Sequence, residues 1–151
     1  MDKEALRLLG DMNQAIIKFR GVYSAWSKKH NISYNEMLVL YTIRDNGFCT
    51  QKQICESYLL PRQTMNYVMN DMRARGLLAV SRDNDLTHRA GREKRFVLTE
   101  KGKEYAGPLL DSLTRIERQA VERIGREHLR AMADSVLTYS AALQAAIEED
   151  T

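Results

Sequence analysis

A chain of 151 residues, 44% hydrophobic and 28% charged, has enough apolar material for one buried core with extensions. Asp2, Lys3, Glu4 and Arg7 crowd the N-terminus and no apolar run reaches the roughly 20 residues a membrane helix needs, so neither a signal peptide nor a membrane partner is expected, and a cytoplasmic protein is. Two cysteines, Cys49 and Cys55, with no histidine beside them make neither a disulfide scaffold nor a metal site; a small buried hydrophobe is the expected role for Cys55, with redox sensing as the alternative.

Residues 4–29 read as one long helix. Leu6, Leu9, Ile16, Ile17, Phe19, Tyr23 and Trp26 cover more than one stripe of it, so it needs two partners or a partner from another chain. Gly10 and Gly21 weaken it slightly. The pattern breaks at Asn31-Ile32. Ser33-Tyr34-Asn35-Glu36 then matches a capping box, in which Ser33 and Glu36 satisfy each other's backbone N–H. Met37, Leu38, Leu40, Tyr41 and Ile43 supply the core face of that helix, and Asp45-Asn46-Gly47 stops it. Phe48-Cys49 reads as a very short strand. Thr50-Gln51-Lys52-Gln53 is a second capping box, opening a helix through Ser57, and Leu60-Pro61 breaks the chain again.

The next helix, residues 62–73, carries most of the functional reading. Pro61 suits its first helical position, because an N–H there would be an orphan anyway. Met65, Val68, Met69 and Met72 fall on one apolar face at helical period. Gln63, Thr64, Asn66, Tyr67 and Asn70 fall on the other, with Arg62 beside them. Amides can pair with base edges, and Thr and Tyr can reach phosphates or thymine methyls. The plain alternative is an amphipathic helix with a polar outside. The residues after the helix favour a base-reading role: Gly76 ends the helix, Leu77-Leu78 turns into a strand, a loop runs from Ser81 to Lys94, and a second strand returns over residues 95–99. Helix, turn, helix and a two-stranded ribbon with a basic tip make a winged helix-turn-helix. The loop is either a disordered surface segment or a wing that brings Arg89, Arg92 or Lys94 to the backbone or minor groove of DNA. The net charge of +3 is unevenly spread: residues 61–95 hold eight cations against four carboxylates, a local +4 that leaves the remainder at −1. A basic patch on a near-neutral body suits a site-specific nucleic-acid binder.

Thr99 reads as the N-cap of another helix. Tyr105, Leu109, Leu110, Leu113, Ile116, Ala120, Val121 and Ile124 repeat along it at helical spacing. An interruption is expected at Gly125-Arg126-Glu127-His128, then a last helix from Leu129 to about Ile147. The expected fold is therefore mainly α (α+β). Residues 31–99 form the winged helix-turn-helix, and residues 1–30 and 100–151 form a flanking helical dimerisation layer of the same intertwined domain. A two-fold dimer would read two half-sites about one helical turn apart.

Taken together these residues resemble the MarR-type transcriptional regulators, and the resemblance covers nearly the whole chain. It rests on Thr64-Met65-Asn66-Tyr67, on Met72 followed by Gly76-Leu77-Leu78, and on the run from Gly91-Arg92 through Leu98-Thr99-Glu100-Lys101-Gly102. The resemblance implies an obligate homodimer on a pseudo-palindromic operator, often a repressor, often released by a small phenolic or lipophilic ligand. It gives Arg92 the role of the wing-tip arginine in the minor groove and places Gln63, Thr64, Asn66 and Tyr67 in the major groove. The sequence departs from the family at Ala90, where the wing aspartate would fall, and residues 84–88 lengthen the wing, so Arg89 can share the role of Arg92, with Asp83 or Asp85 as orienting carboxylate.

Catalysis is not expected, nor is a cofactor. His30, His88 and His128 are spread over separate elements, and no phosphate loop, nucleophile motif or metal cluster is written in the chain. The rival function is a winged helix that docks onto an acidic protein partner; the outward amides argue against it, since protein interfaces favour aromatic anchors. Trp26, His30, Tyr34, Met37 and Tyr41 are candidate ligand-pocket residues, and their plainer reading is core and dimer interface.

Overall fold

The computed structural model describes residues 1–82 and 93–150. Among them, chain order gives α1 (Lys3–Lys29), α2 (Tyr34–Asn46), β1 (Cys49–Thr50), α3 (Gln51–Tyr58), α4 (Arg62–Ala74), β2 (Leu78–Val80), β3 (Arg95–Leu98), α5 (Glu100–Ile124) and α6 (Arg126–Glu149). The chain divides into two compact units, Met1–Leu110 and Asp111–Thr151. A mainly helical winged-helix fold is what the first unit holds.

Local chemistry sets the helix ends. Ser33 Oγ accepts from the Glu36 N–H at 3.0 Å and opens α2; Gly47, at φ 79°, closes it. Thr50 Oγ1 accepts from the Gln53 N–H at 3.0 Å and opens α3. Thr99 Oγ1 accepts from the Gly102 N–H at 2.9 Å at the head of α5 and donates to the Gly76 carbonyl, which ties that helix to the end of α4. Gly102 is obligatory here: a Cβ would lie 2.1 Å from the Leu77 carbonyl oxygen.

The sheet is three-stranded and antiparallel, in the order β1-β3-β2. The expected two-stranded ribbon gains β1 as a third strand, because Cys49 pairs with Phe96 and Thr50 with Arg95. That strand sits one residue later than Phe48-Cys49. Val80 opposite Phe96 and Leu78 opposite Leu98 set the register of the wing's base.

The core lies between α2, α3, α4, the sheet and the start of α5. It contains Val39, Leu40, Ile43, Cys49, Ile54, Met65, Met69, Met72, Leu77, Leu78, Phe96 and Ala106. The side of α4 written as apolar is buried throughout, including Val68. Cys49, rather than Cys55, is the fully buried thiol; Cys55 is half-buried at the edge of the core. Burial pushes the Cys49 thiol up to about 12.

Several expectations need correction. Pro61 is the N-cap of α4, with ψ at 138°, and Arg62 is the first helical residue; the ring fixes φ at −59°, which suits the turn into the helix as well as its first position. The four-residue interruption before the last helix shrinks to Gly125 alone, whose φ of 84° and ψ of 149° let the chain change direction in one step before α6 begins at Arg126. Each capping box forms only one of its two bonds. Gln53 Oε1 is buried and has no hydrogen-bond partner among the described residues. The Glu36 carboxylate turns inward instead.

Glu36 is a buried carboxylate with three donors. Arg75 Nη1 reaches its Oε2 at 3.0 Å, Arg75 Nη2 its Oε1 at 3.3 Å, and the Tyr105 hydroxyl donates to Oε1 at 2.8 Å. Asp71 takes a further bond from Arg75 Nη1 at 3.0 Å. The junction joins α2, the last turn of α4 and α5. The Glu36 hydrogen bond, with help from Asp71, holds the Arg75 guanidinium well above its ordinary value. Burial, and then the bond to Glu36, raises the Tyr105 phenol. Fully paired charges of this kind cost little when intact and a great deal when one partner is removed.

Candidate nucleic-acid interface

Helix α4 divides its side chains cleanly. Met65, Val68, Met69 and Met72 face the core, while Arg62, Gln63, Asn66, Tyr67, Asn70 and Arg73 are exposed and Thr64 is half-buried. Tyr67 is 77% exposed, an unusual position for a large aromatic that no described residue covers. The turn before α4 holds Leu59 at φ 50°, a left-handed residue that closes α3 and sets the approach of the two helices. Helix α4 is thus seated on the core by its apolar face, with its hydrogen-bonding side chains outward.

Asn66 does not stand alone. Gln51, the first residue of α3, donates from Nε2 to the Arg62 carbonyl oxygen at 3.2 Å and also to Asn66 Oδ1. Arg62 Nη2 lies 4.0 Å from Glu93 Oε1 at the base of the wing. Gln51, Glu93, Lys94 and Phe96 line a shallow depression beside this cluster. At the other end of α4, Asn70, Arg73, Ala74, Leu78, Ala79, Val80 and Arg82 line a second groove, with the exposed cations Arg73 and Arg82 along it. A groove edged by two guanidinium groups has the chemistry of a phosphate contact.

The eight cations counted over residues 61–95 do not all face outward. Arg75 belongs to the Glu36 junction. Arg95 is buried, its guanidinium 4.1 Å from the centre of the Phe48 ring. Arg62, Arg73, Arg82 and Lys94 are exposed on the α4 and wing-base side. Arg89 and Arg92, and with them Ala90, Asp83 and Asp85, lie outside the described residues. Gln51 was missed at the sequence level. Its signal, a planar amide at the first turn of the helix preceding α4, is legible only once the two helices are known to cross there.

The candidate ligand residues gather around the α1–α2 junction. The Trp26 and His30 rings are 4.4 Å apart. Trp26 Nε1 is buried without a hydrogen-bond partner among the described residues. Ser27 Oγ donates to the Tyr23 carbonyl at 3.0 Å and lies 3.3 Å from Met37 Sδ, so Met37 is a packed core residue. Tyr34 sits under Arg20 at 5.0 Å and Tyr41 under Arg44 at 4.0 Å. Among the described residues, no group of three His, Cys, Asp or Glu side chains is placed to hold a metal, and no helix is long and apolar enough to cross a membrane.

Comparison with known proteins agrees with this architecture. The sequence profile of the MarR family matches residues 30–90. A MarR family regulator from Neisseria meningitidis is 26% identical and superposes with a TM-score of 0.82 over 95% of this chain and 99% of that one. Staphylococcus aureus MarR, solved with salicylate and kanamycin, is 16% identical, with a TM-score of 0.65 over 95% of this chain and 94% of that one. BpsR of Bordetella bronchiseptica, whose DNA binding is regulated by 6-hydroxynicotinic acid, is 18% identical, with a TM-score of 0.62 over 86% of this chain and 98% of that one. No curated protein matches the chain in sequence. With the profile lying on the helix-turn-helix and the Neisseria regulator matched from end to end, the chain is similar to the MarR family of winged-helix transcriptional regulators and shares their fold.

Proposed function

We propose that the protein is a sequence-specific DNA-binding repressor that acts as a homodimer on a pseudo-palindromic operator. The observation that carries this reading is the outward face of α4. Gln63, Thr64, Asn66, Tyr67 and Asn70 offer donors and acceptors without a core-packing role, on a helix whose other face is wholly buried. Arg62 and Lys94 flank one end and Arg73 and Arg82 the other, which supplies phosphate anchors on both sides of a base-reading stretch. The wing arginines Arg89 and Arg92 extend that contact into the minor groove.

The dimer reading rests on the flanking helices. Leu6, Leu8, Ile17, Phe19 and Val22 of α1 are more than half exposed, and α6 buries none of its residues while presenting Leu129, Met132, Val136, Leu137 and Leu143. A second copy of the chain is the occupant that covers such faces and sets two recognition helices one turn apart. A small aromatic acid is the proposed releasing ligand, held near Trp26, His30, Tyr34 and Tyr41. The buried indole N–H of Trp26 is a ready donor for it, and two structures of the same fold are associated with salicylate and 6-hydroxynicotinic acid.

Arg62→Ala and Tyr67→Ala test the reading. Both side chains are exposed, so neither change harms the core. Each should weaken binding to a selected duplex by about tenfold or more while the dimer, measured by light scattering, stays intact. Unchanged DNA affinity in both variants would overturn the assignment of α4.

A further inference from the structure

The interaction between Gln51 and Asn66 bears on which base the protein reads. The orientation of an amide is ambiguous in isolation, but here the backbone settles it. The Arg62 carbonyl oxygen can only accept, so the Gln51 atom 3.2 Å from it is the donor Nε2. The same Nε2 also contacts the Asn66 side chain, so the Asn66 atom facing it is the acceptor Oδ1. Both hydrogens of the Gln51 amide are therefore used, and the Asn66 carbonyl is turned toward α3. What Asn66 presents outward is its NH2 group.

A free asparagine pairs with adenine by accepting from N6 and donating to N7, which needs both halves of its amide. The Asn66 oxygen keeps a second lone pair, but with that oxygen held toward α3 by Gln51 it is the NH2 donors that lie on the outward side. Guanine, with acceptors at both N7 and O6, suits such a group, and adenine's N6 amine opposes it. Asn66 lies on the second turn of α4, within the N-terminal part of the helix that reaches base edges in this class of motif.

We infer that Gln51 is a specificity-determining positioning residue: by occupying the Asn66 carbonyl, it makes Asn66 read guanine rather than adenine in each half-site. Gln51 acts through Asn66 and need not touch DNA. The inference rests on the DNA-binding reading above and deepens it.

The test is selection of binding sites from a random duplex pool by the full-length wild-type protein, Asn66→Ala, Gln51→Met and Gln51→Ala. Enrichment of no motif by the wild type would remove the DNA-binding reading itself, and this inference with it. Given a motif, Asn66→Ala identifies the position that Asn66 reads, because preference there flattens. The wild type should favour guanine at that position by about tenfold, the size of one good bidentate contact. Gln51→Met keeps the length of the side chain and removes its donors; it should move the preference to adenine at that position alone, and Gln51→Ala should do the same. Two results overturn the inference. One is a wild-type preference for adenine at the Asn66 position. The other is an unchanged motif in both Gln51 variants, whether or not affinity falls uniformly. A merely structural role for Gln51 would lower affinity across all sequences without exchanging one base for another.

Discussion

Helices α4 and α6 are both amphipathic, yet they end in opposite states. Helix α4 buries Met65, Val68, Met69 and Met72 within its own chain and leaves amides, a phenol and guanidinium groups outside. Helix α6 buries nothing and leaves Leu129, Met132, Val136, Leu137 and Leu143 exposed. The first pattern is complete in one chain, and its exposed polar face is the one proposed to meet DNA. The second is incomplete in one chain, and on the proposed reading its exposed apolar face is covered by a second copy. One chain thus carries two kinds of exposed face, distinguishable by what each helix buries rather than by how hydrophobic it is.

The sharpest way to break this contrast is to cut one side chain from each helix. Met72 is fully buried in the core, so Met72→Ala should lower folding stability by about 3 kcal/mol at any protein concentration, measured by urea unfolding. Leu137 is 68% exposed, so Leu137→Ala should act on association instead. Its dimer dissociation constant, from analytical ultracentrifugation, should rise with little change in the core. Unaltered association in Leu137→Ala would show that the apolar face of α6 is not the interface.

A smaller effect is expected at the junction that holds α4 in place. Arg75→Ala leaves the Glu36 carboxylate buried with only Tyr105 donating to it. Because Arg75 is itself 37% exposed, the full cost of breaking a buried pair does not apply, and about 2 kcal/mol is expected in urea unfolding. Tyr105→Phe removes one hydrogen bond and should cost about 1 kcal/mol. A loss near zero for Arg75→Ala would mean that water replaces the guanidinium and that the junction does not position the recognition helix.

The mildest prediction concerns the two thiols. The Cys49 pKa, pushed up to about 12 by burial, lies above its unfolded value near 8.5. A group with a raised folded-state pKa contributes its full stabilisation below the unfolded pKa and loses it as pH rises through the folded one. Stability should therefore be unaffected by Cys49 from neutral pH up to about 8.5 and should decline toward pH 12. At pH 8 an aromatic disulfide reagent should label one thiol per chain quickly, Cys55, and Cys49 only at the rate of unfolding. Rapid labelling of Cys49 would reopen it as a redox centre.

Much of the fold was legible in the sequence because its signals are local. The apolar spacing of α4, the caps at Ser33, Thr50 and Thr99, and the stops at Gly47 and Gly76 each depend on residues within one or two turns. The parts that were misread depend on distant partners. Glu36 fits a capping box by spacing, but Arg75 and Tyr105, 39 and 69 residues further on, claim its carboxylate. Arg75 and Arg95 were counted as surface charge, and both have partners inside the protein that a charge count does not see. The candidate site was legible as a polar helical face. The Gln51 contact that orients Asn66 was not, since it forms only where α3 and α4 cross. Arg89 and Arg92 stand outside the described residues, so their part in the interface rests on the family resemblance and on charge.

The most direct test of the central claim is equilibrium binding of the purified protein to a duplex enriched by selection, beside a shuffled duplex of the same composition, at about 50 and 200 mM salt. A base-reading α4 flanked by phosphate anchors predicts nanomolar affinity for the selected duplex, at least about a thousandfold preference over the shuffled one, and a steep loss of affinity with salt for both. Equal affinity for the two duplexes, or none for either at the lower salt, would contradict it and leave the outward face of α4 to a protein partner.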